Sequence, residues 1–106
     1  LYPCHQFVGE EKFRLGDIWH GVTNTAVQSE FAACNVYAHR ECRDCWARLY
    51  CSGGCAANAY HSTGSVTGVY KYGCELFRKR IECAVMVAVD RAFRAAEEAD
   101  DDDSDN

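Results

Sequence analysis

Four of the eight cysteines fall within fourteen residues, in the run Cys42-Arg43-Asp44-Cys45-Trp46-Ala47-Arg48-Leu49-Tyr50-Cys51-Ser52-Gly53-Gly54-Cys55, spaced C-x2-C-x5-C-x3-C. So many thiols this close together constrain the fold more than any other feature. A C-x2-C pair lets two thiolates converge on one centre from a single turn. Gly53 and Gly54 permit left-handed backbone and bring N–H groups near an anionic site. At 106 residues the chain is one domain with a small core, so it needs a staple, and the cysteines at 4, 34, 42, 45, 51, 55, 74 and 83 can supply one as disulfides or as metal ligands.

Charge says little about nucleic acid. Seven of the sixteen acidic residues lie in the last ten positions, leaving nine acids against eleven Lys and Arg in residues 1–96. That body is mildly basic, which suits a site holding several thiolates, and it lacks the dense basic stripe of a nucleic-acid binder. The longest apolar run, Ala84-Val85-Met86-Val87-Ala88-Val89, is far too short to span a membrane. The chain reads as soluble. It opens at Leu1 rather than Met, which reads as a cut, and a lost signal peptide stays open.

Along the chain, residues 1–18 alternate apolar and polar around Gly9-Glu10-Glu11 and predict a hairpin, with Tyr2, Phe7 and Val8 before the turn and Phe13, Leu15 and Ile18 after it. Asn24 or Thr25 caps a helix expected to run to about Val36, on Val27, Phe31 and Ala32, with Cys34 in its last turn. Residues 38–73 read as loop-rich, with short helical pieces near Cys45–Tyr50 and Ala56–Tyr60. Leu76, Phe77, Ile81, Ala84, Val85, Ala88 and Ala92 make an apolar stripe on a long helix expected from about Cys74 to Glu97. The fold class is therefore α+β: a small cysteine-rich domain over residues 1–97, with an N-terminal β-hairpin, cluster-binding loops and a long C-terminal helix. Residues 98–106 follow as an acidic disordered tail.

Three chemistries use such thiols. A disulfide framework suits an even cysteine count, but C-x2-C spacing is poor for a local bridge. A zinc-stapled structural or interaction module suits two short-spaced pairs, although the thiols exceed the four a zinc site needs. An iron–sulfur cluster suits three closely spaced thiols, Cys42, Cys45 and Cys51, closed by a distant Cys74 at the start of the last helix, where the helix end favours the thiolate.

The run together with a later Cys resembles the signature of the SPASM domain, the C-terminal auxiliary-cluster module of radical S-adenosylmethionine enzymes that modify peptides. Tyr2-Pro3-Cys4-His5-Gln6-Phe7-Val8-Gly9, Cys51-Ser52-Gly53-Gly54-Cys55-Ala56-Ala57-Asn58-Ala59-Tyr60, Gly73-Cys74-Glu75-Leu76 and Arg80-Ile81-Glu82-Cys83 resemble the maturases of cysteine-rich SCIFF peptides, which form thioether crosslinks. The resemblance implies that Cys42, Cys45, Cys51 and Cys74 hold a second auxiliary [4Fe–4S] cluster. It implies that Cys4 and Cys55 hold part of a first, whose other ligand would lie upstream of Leu1. The implied partners are a cysteine-rich precursor peptide and a missing N-terminal radical SAM domain, with no nucleic acid and no membrane, in the cytoplasm.

The C-x3-C-x2-C motif of the SAM-binding cluster is absent, so any enzyme label belongs to an intact protein, S-adenosylmethionine is expected only there, and the chain alone is expected to be inactive. Cys34 and Cys83 match no motif position and read as small buried thiols. His5, His20, His39 and His61 read as surface or supporting residues. Arg43, Arg48 and Lys71 are candidates to steady an anionic cluster or a peptide, and Trp19, Trp46, Tyr50, Tyr60, Tyr70 and Tyr72 are candidates to shield one from water.

Overall fold

The structure, a computed structural model, describes residues 1–104. It divides into two units, residues 1–74 and 75–106. In chain order, two 3-10 turns, His5–Phe7 and Glu11–Phe13, precede strands β1 (Gly16–Asp17) and β2 (Gly21–Val22). Then come α1 (Thr25–Ala32), α2 (Arg40–Arg43), α3 (Arg48–Cys51), α4 (Ala56–Thr63) and α5 (Lys71–Ser104). A short antiparallel hairpin near the N-terminus and a long C-terminal helix give the α+β class expected from sequence.

The hairpin is not where the alternation put it. Residues 4–14 close i to i+3 turns instead: Phe7 N donates to Cys4 O, Glu10 N to Phe7 O and Phe13 N to Glu10 O, at 3.1, 3.0 and 2.9 Å. These turns fold Phe7 and Phe13 onto each other with ring centroids 4.4 Å apart. Burying two aromatic rings in one core outweighs the cross-strand pairing that a period of two would offer. Val8 and Ile18, both read as strand residues, are left exposed.

The strands pair further on, Gly16 opposite Val22 and Asp17 opposite Gly21. The Asp17 carboxylate pins the connecting turn by accepting from the Trp19 and His20 backbone N–H groups at 2.9 and 2.8 Å, and it meets His20 Nδ1 at 3.0 Å. The His20 backbone N–H, followed by its ring, holds the Asp17 carboxyl below the usual carboxylate range.

Gly16 is buried, and a Cβ there would lie 1.9 Å from the Gly21 carbonyl oxygen. Backbone cannot yield as a side chain does. Gly16→Ala is expected to cost about 1–3 kcal/mol through overpacking; a urea midpoint equal to that of the parent chain would refute this.

The core of the first unit is Phe7, Phe13, Val27, Ala57 and Val66, sealed by Tyr2, Leu15, Phe31, Cys34, Ala56 and Tyr60. Phe31 meets both phenylalanine rings edge-on, at 5.5 and 6.1 Å, and Tyr60 lies 4.7 Å from Phe13. Helix α1 supplies Val27 and Phe31, and its N-terminus is satisfied by Asn24 Oδ1, which accepts from Val27 N at 3.2 Å.

Helix α1 stops at Ala32, short of Val36, because Asn35 Oδ1 accepts from Tyr37 N and Ala38 N at 2.9 and 3.1 Å. That local turn offers the backbone an alternative to the helix. Cys34 therefore lies just past the helix rather than in its last turn. Helix α4 ends at Gly64, whose positive φ of 82° lets its N–H reach Tyr60 O.

Helix α5 begins at Lys71, three residues before the expected start, and Cys74 N closes its first turn on Tyr70 O at 3.1 Å. It runs on to Ser104, through positions expected to open a disordered tail at 98; residues 105 and 106 lie outside the described residues. From Glu75 to Asp100 no side chain is fully buried. No helix among the described residues is long and apolar enough to cross a membrane.

Candidate metal centre

Each thiol of the cysteine run is placed by its own short turn. Cys42 lies within α2, and Cys45 N bonds back to Cys42 O at 3.1 Å. Cys45 O in turn accepts from Arg48 N at 3.2 Å and from the Arg48 guanidinium at 3.3 Å. Arg48 thus fixes the turn that carries Cys45. Cys51 closes α3, and Ser52, Gly53 and Gly54 follow with φ of 59°, 98° and 79°. Three left-handed residues in a row reverse the chain and deliver Cys55 to the N-cap of α4, a path that non-glycine residues resist at the last two positions.

Electrostatics identify which thiols share a neighbourhood. The Cys42 thiol is held above its ordinary range by burial first, and then by the proximity of Cys74, Cys51 and Cys45, with Glu41 adding to the effect. Cys74, Cys51 and Cys45 thus each lie near enough to Cys42 for their charge to act on it. Cys42, Cys45, Cys51 and Cys74 are each half-buried. The exposed ion pair between Lys71 Nζ and Glu41 Oε1, at 3.7 Å, ties the start of α5 to α2, next to Cys74 and Cys42. In donor chemistry the set fits a soft metal or an iron–sulfur cluster. Among the described residues no group of three or more His, Cys, Asp or Glu side chains has the arrangement to hold a metal ion. The thiols are gathered but not closed into a ligand cage.

The sign of the Cys42 shift has a consequence in the metal-free chain. A thiol whose folded-state pKa is raised contributes stability that is full below the ordinary thiol value of about 8.5 and is lost as pH rises through the folded value. At neutral pH the group stays protonated, and only the thiolate alkylates. Cys42 is expected to react with iodoacetamide more slowly in the folded metal-free chain than in the urea-unfolded chain, read by peptide mass spectrometry. Equal rates would refute the burial and thiol surroundings that raise Cys42.

Cys4 and Cys55 are both exposed. Cys4 is the N-cap of the His5–Phe7 turn, and the next turn residue but one, Gln6, accepts from Cys55 Sγ through Oε1 at 3.2 Å. A contact between residues 49 apart in sequence thus brings the Cys4 turn to Cys55. Gln6 carried no sequence signal; only the tertiary fold identifies it.

Cys34 donates to Glu30 O and Val66 O at 3.4 and 3.6 Å and packs on the core, and burial, with Glu30 secondary, pushes its thiol up. That is the small-hydrophobe role expected for it. It also lines a cavity of about 40 Å³ with His39, Gly53, Gly54 and Cys55. His39, the N-cap residue of α2, is buried where it lines this cavity rather than lying at the surface. Cys83, expected buried, is exposed.

Of the aromatic residues considered as shields, only Tyr60 joins the core; Trp19, Trp46, Tyr50 and Tyr72 are exposed. His20 serves the hairpin turn through Asp17, and His61 Nε2 lies 3.8 Å from Glu10. Comparison with protein-family models and with curated proteins returns no match to this chain.

Proposed function

We propose that the chain is the auxiliary iron–sulfur domain of a radical SAM peptide maturase, with Cys42, Cys45, Cys51 and Cys74 as the ligand set of one [4Fe–4S] cluster. The observation that supports this reading is that Cys74, from outside the run, lies near enough to Cys42 to act on its charge together with Cys45 and Cys51, beside the Lys71–Glu41 pair that joins the start of α5 to α2. Four thiolates crowded together repel, and a cationic iron core relieves that repulsion. Loading should therefore release protons and be favoured by rising pH.

When bound, such a cluster supplies one-electron transfer and soft ligation of thiols. The chain's own contribution is positional. The Arg48 guanidinium holds the Cys45 turn, the Ser52-Gly53-Gly54 segment of positive φ leads from Cys51 to Cys55 at the N-cap of α4, and the Lys71–Glu41 pair sets the first turn of α5 beside α2. Cys4 and Cys55, linked through Gln6, belong on this reading to a second cluster for which the chain holds two ligands. The substrate on this reading is a cysteine-rich peptide, and the setting is a reducing compartment such as the cytoplasm, where thiols persist. The chain lacks the C-x3-C-x2-C spacing of a SAM-cleaving cluster, so SAM cleavage falls to another part of an intact enzyme.

The test is anaerobic reconstitution followed by assay of iron, sulfide and zinc beside the visible spectrum. A brown protein with about four irons and four sulfides per chain supports the reading. A colourless protein with stoichiometric zinc and no sulfide replaces it with a zinc-stapled module.

A further inference from the structure

Helix α5 carries an apolar face that its own unit leaves uncovered. Phe77 and Ile81 are half-buried, and Val85, Val89 and every alanine from Ala84 to Ala99 are exposed. Phe77, Ile81, Ala84, Ala88, Ala92, Ala95 and Ala99 follow one another at steps of four, three, four, four, three and four residues. That is an eleven-residue repeat, with Ala88 and Ala99 repeating Phe77, Ala92 repeating Ile81 and Ala95 repeating Ala84. Eleven residues in three turns depart from the natural helical period by only about 20° per repeat, so the face winds slightly, in the right-handed sense, along roughly 33 Å at 1.5 Å per residue.

We propose that this face pairs with the same face of a second copy of the chain, antiparallel, about a two-fold axis at Ala88. The seven positions map onto themselves when the helix is turned end for end about Ala88: Phe77 onto Ala99, Ile81 onto Ala95, Ala84 onto Ala92. Self-complementarity of this kind is what an isologous two-fold contact requires. It sets the two largest residues, Phe77 and Ile81, against alanines of the second copy. Val85 and Val89 widen the contact along one edge and meet each other across the axis.

Charge selects the occupant and its direction. Arg78, Lys79 and Arg80 lie at one end of the face, and Glu97, Glu98 and Asp100 at the other. At 100° per residue Arg80 and Glu98 share one edge of the stripe. Antiparallel pairing brings Arg80 beside Glu98 of the second copy, whereas parallel pairing stacks like on like. Within the helix Lys79 pairs with Glu82, and Arg94 with Asp90 at 3.0 Å, on the opposite side, where they do not compete.

The test uses the 106-residue chain kept reduced with a phosphine, by size exclusion with light scattering. The expected mass is twice 11.9 kDa. Arg80→Glu should shift the chain to the single-chain mass, and Arg80→Glu combined with Glu98→Arg should restore the pair. Brief oxidation with peptide mass spectrometry reads direction. Ala88→Cys should crosslink to itself, while Ala84→Cys, offset from its counterpart by about 12 Å along the axis, should not. A single-chain mass at the highest soluble concentration overturns the proposal. So does a dimer that ignores Arg80→Glu, that fails to link at Ala88→Cys, or that links equally at Ala84→Cys, the last marking a parallel pair.

Discussion

Phe7→Ala is expected to destabilise the first unit by about 3–5 kcal/mol, enough to unfold much of a domain this small at ambient temperature. The Phe7 ring is 0% exposed and packs against three other aromatic rings, with centroids 4.4 Å from Phe13, 5.5 Å from Phe31 and 6.2 Å from Tyr60. Truncation leaves a cavity among rigid rings that cannot collapse into it, and the two 3-10 turns lose the burial that holds them. The adjacent Val8 is 66% exposed and serves as the control, since Val8→Ala removes almost no buried area. Urea unfolding of both variants, followed by near-ultraviolet circular dichroism of the aromatic core, measures the difference. Equal midpoints for the two would refute the assignment of Phe7 as the centre of the core.

The largest effect on the candidate metal centre is expected from Cys74→Ser. On the cluster reading it should take reconstituted iron and sulfide from about four of each per chain to a small residue, because three ligands hold a cubane poorly once the fourth thiolate is gone. Cys74 is the informative choice because it lies outside the fourteen-residue run and meets Cys42 only through the fold. Cys34→Ser is the matched control: its thiol donates to two backbone carbonyls and packs on the core, so its loss should leave iron unchanged. Because cluster binding would be coupled to folding, the Cys74→Ser chain should also melt earlier than the loaded parent and no earlier than the unloaded one. Full iron content in Cys74→Ser, or equal loss in Cys34→Ser, would sink the ligand assignment.

Some of this architecture was legible because it is local. Asn24 as a cap, the short helices around Arg48 and Ala56, and the long amphipathic pattern after Cys74 rest on side-chain-to-backbone bonds and helical spacing a few residues long. The errors arose where a distant contact competed with a local pattern. Residues 1–18 alternate as a strand pair would, yet the pull of Phe7 and Phe13 into one aromatic core curls them into turns, and the hairpin forms beyond it. The helix expected to reach Val36 stops at Ala32 because one side chain, Asn35, captures the next turn.

The candidate site divides the same way. Spacing alone picks out Cys42, Cys45, Cys51 and Cys74 as soft donors, because thiol density and the glycine pair are written in the chain. That Cys74 comes to Cys42, that Gln6 rather than a histidine contacts Cys55, and that His39 is buried at the same cavity were decided by tertiary structure. The reason is physical: donor type and local turn geometry are properties of adjacent residues, whereas convergence depends on how helices and turns far apart in sequence bury the aromatic core they share.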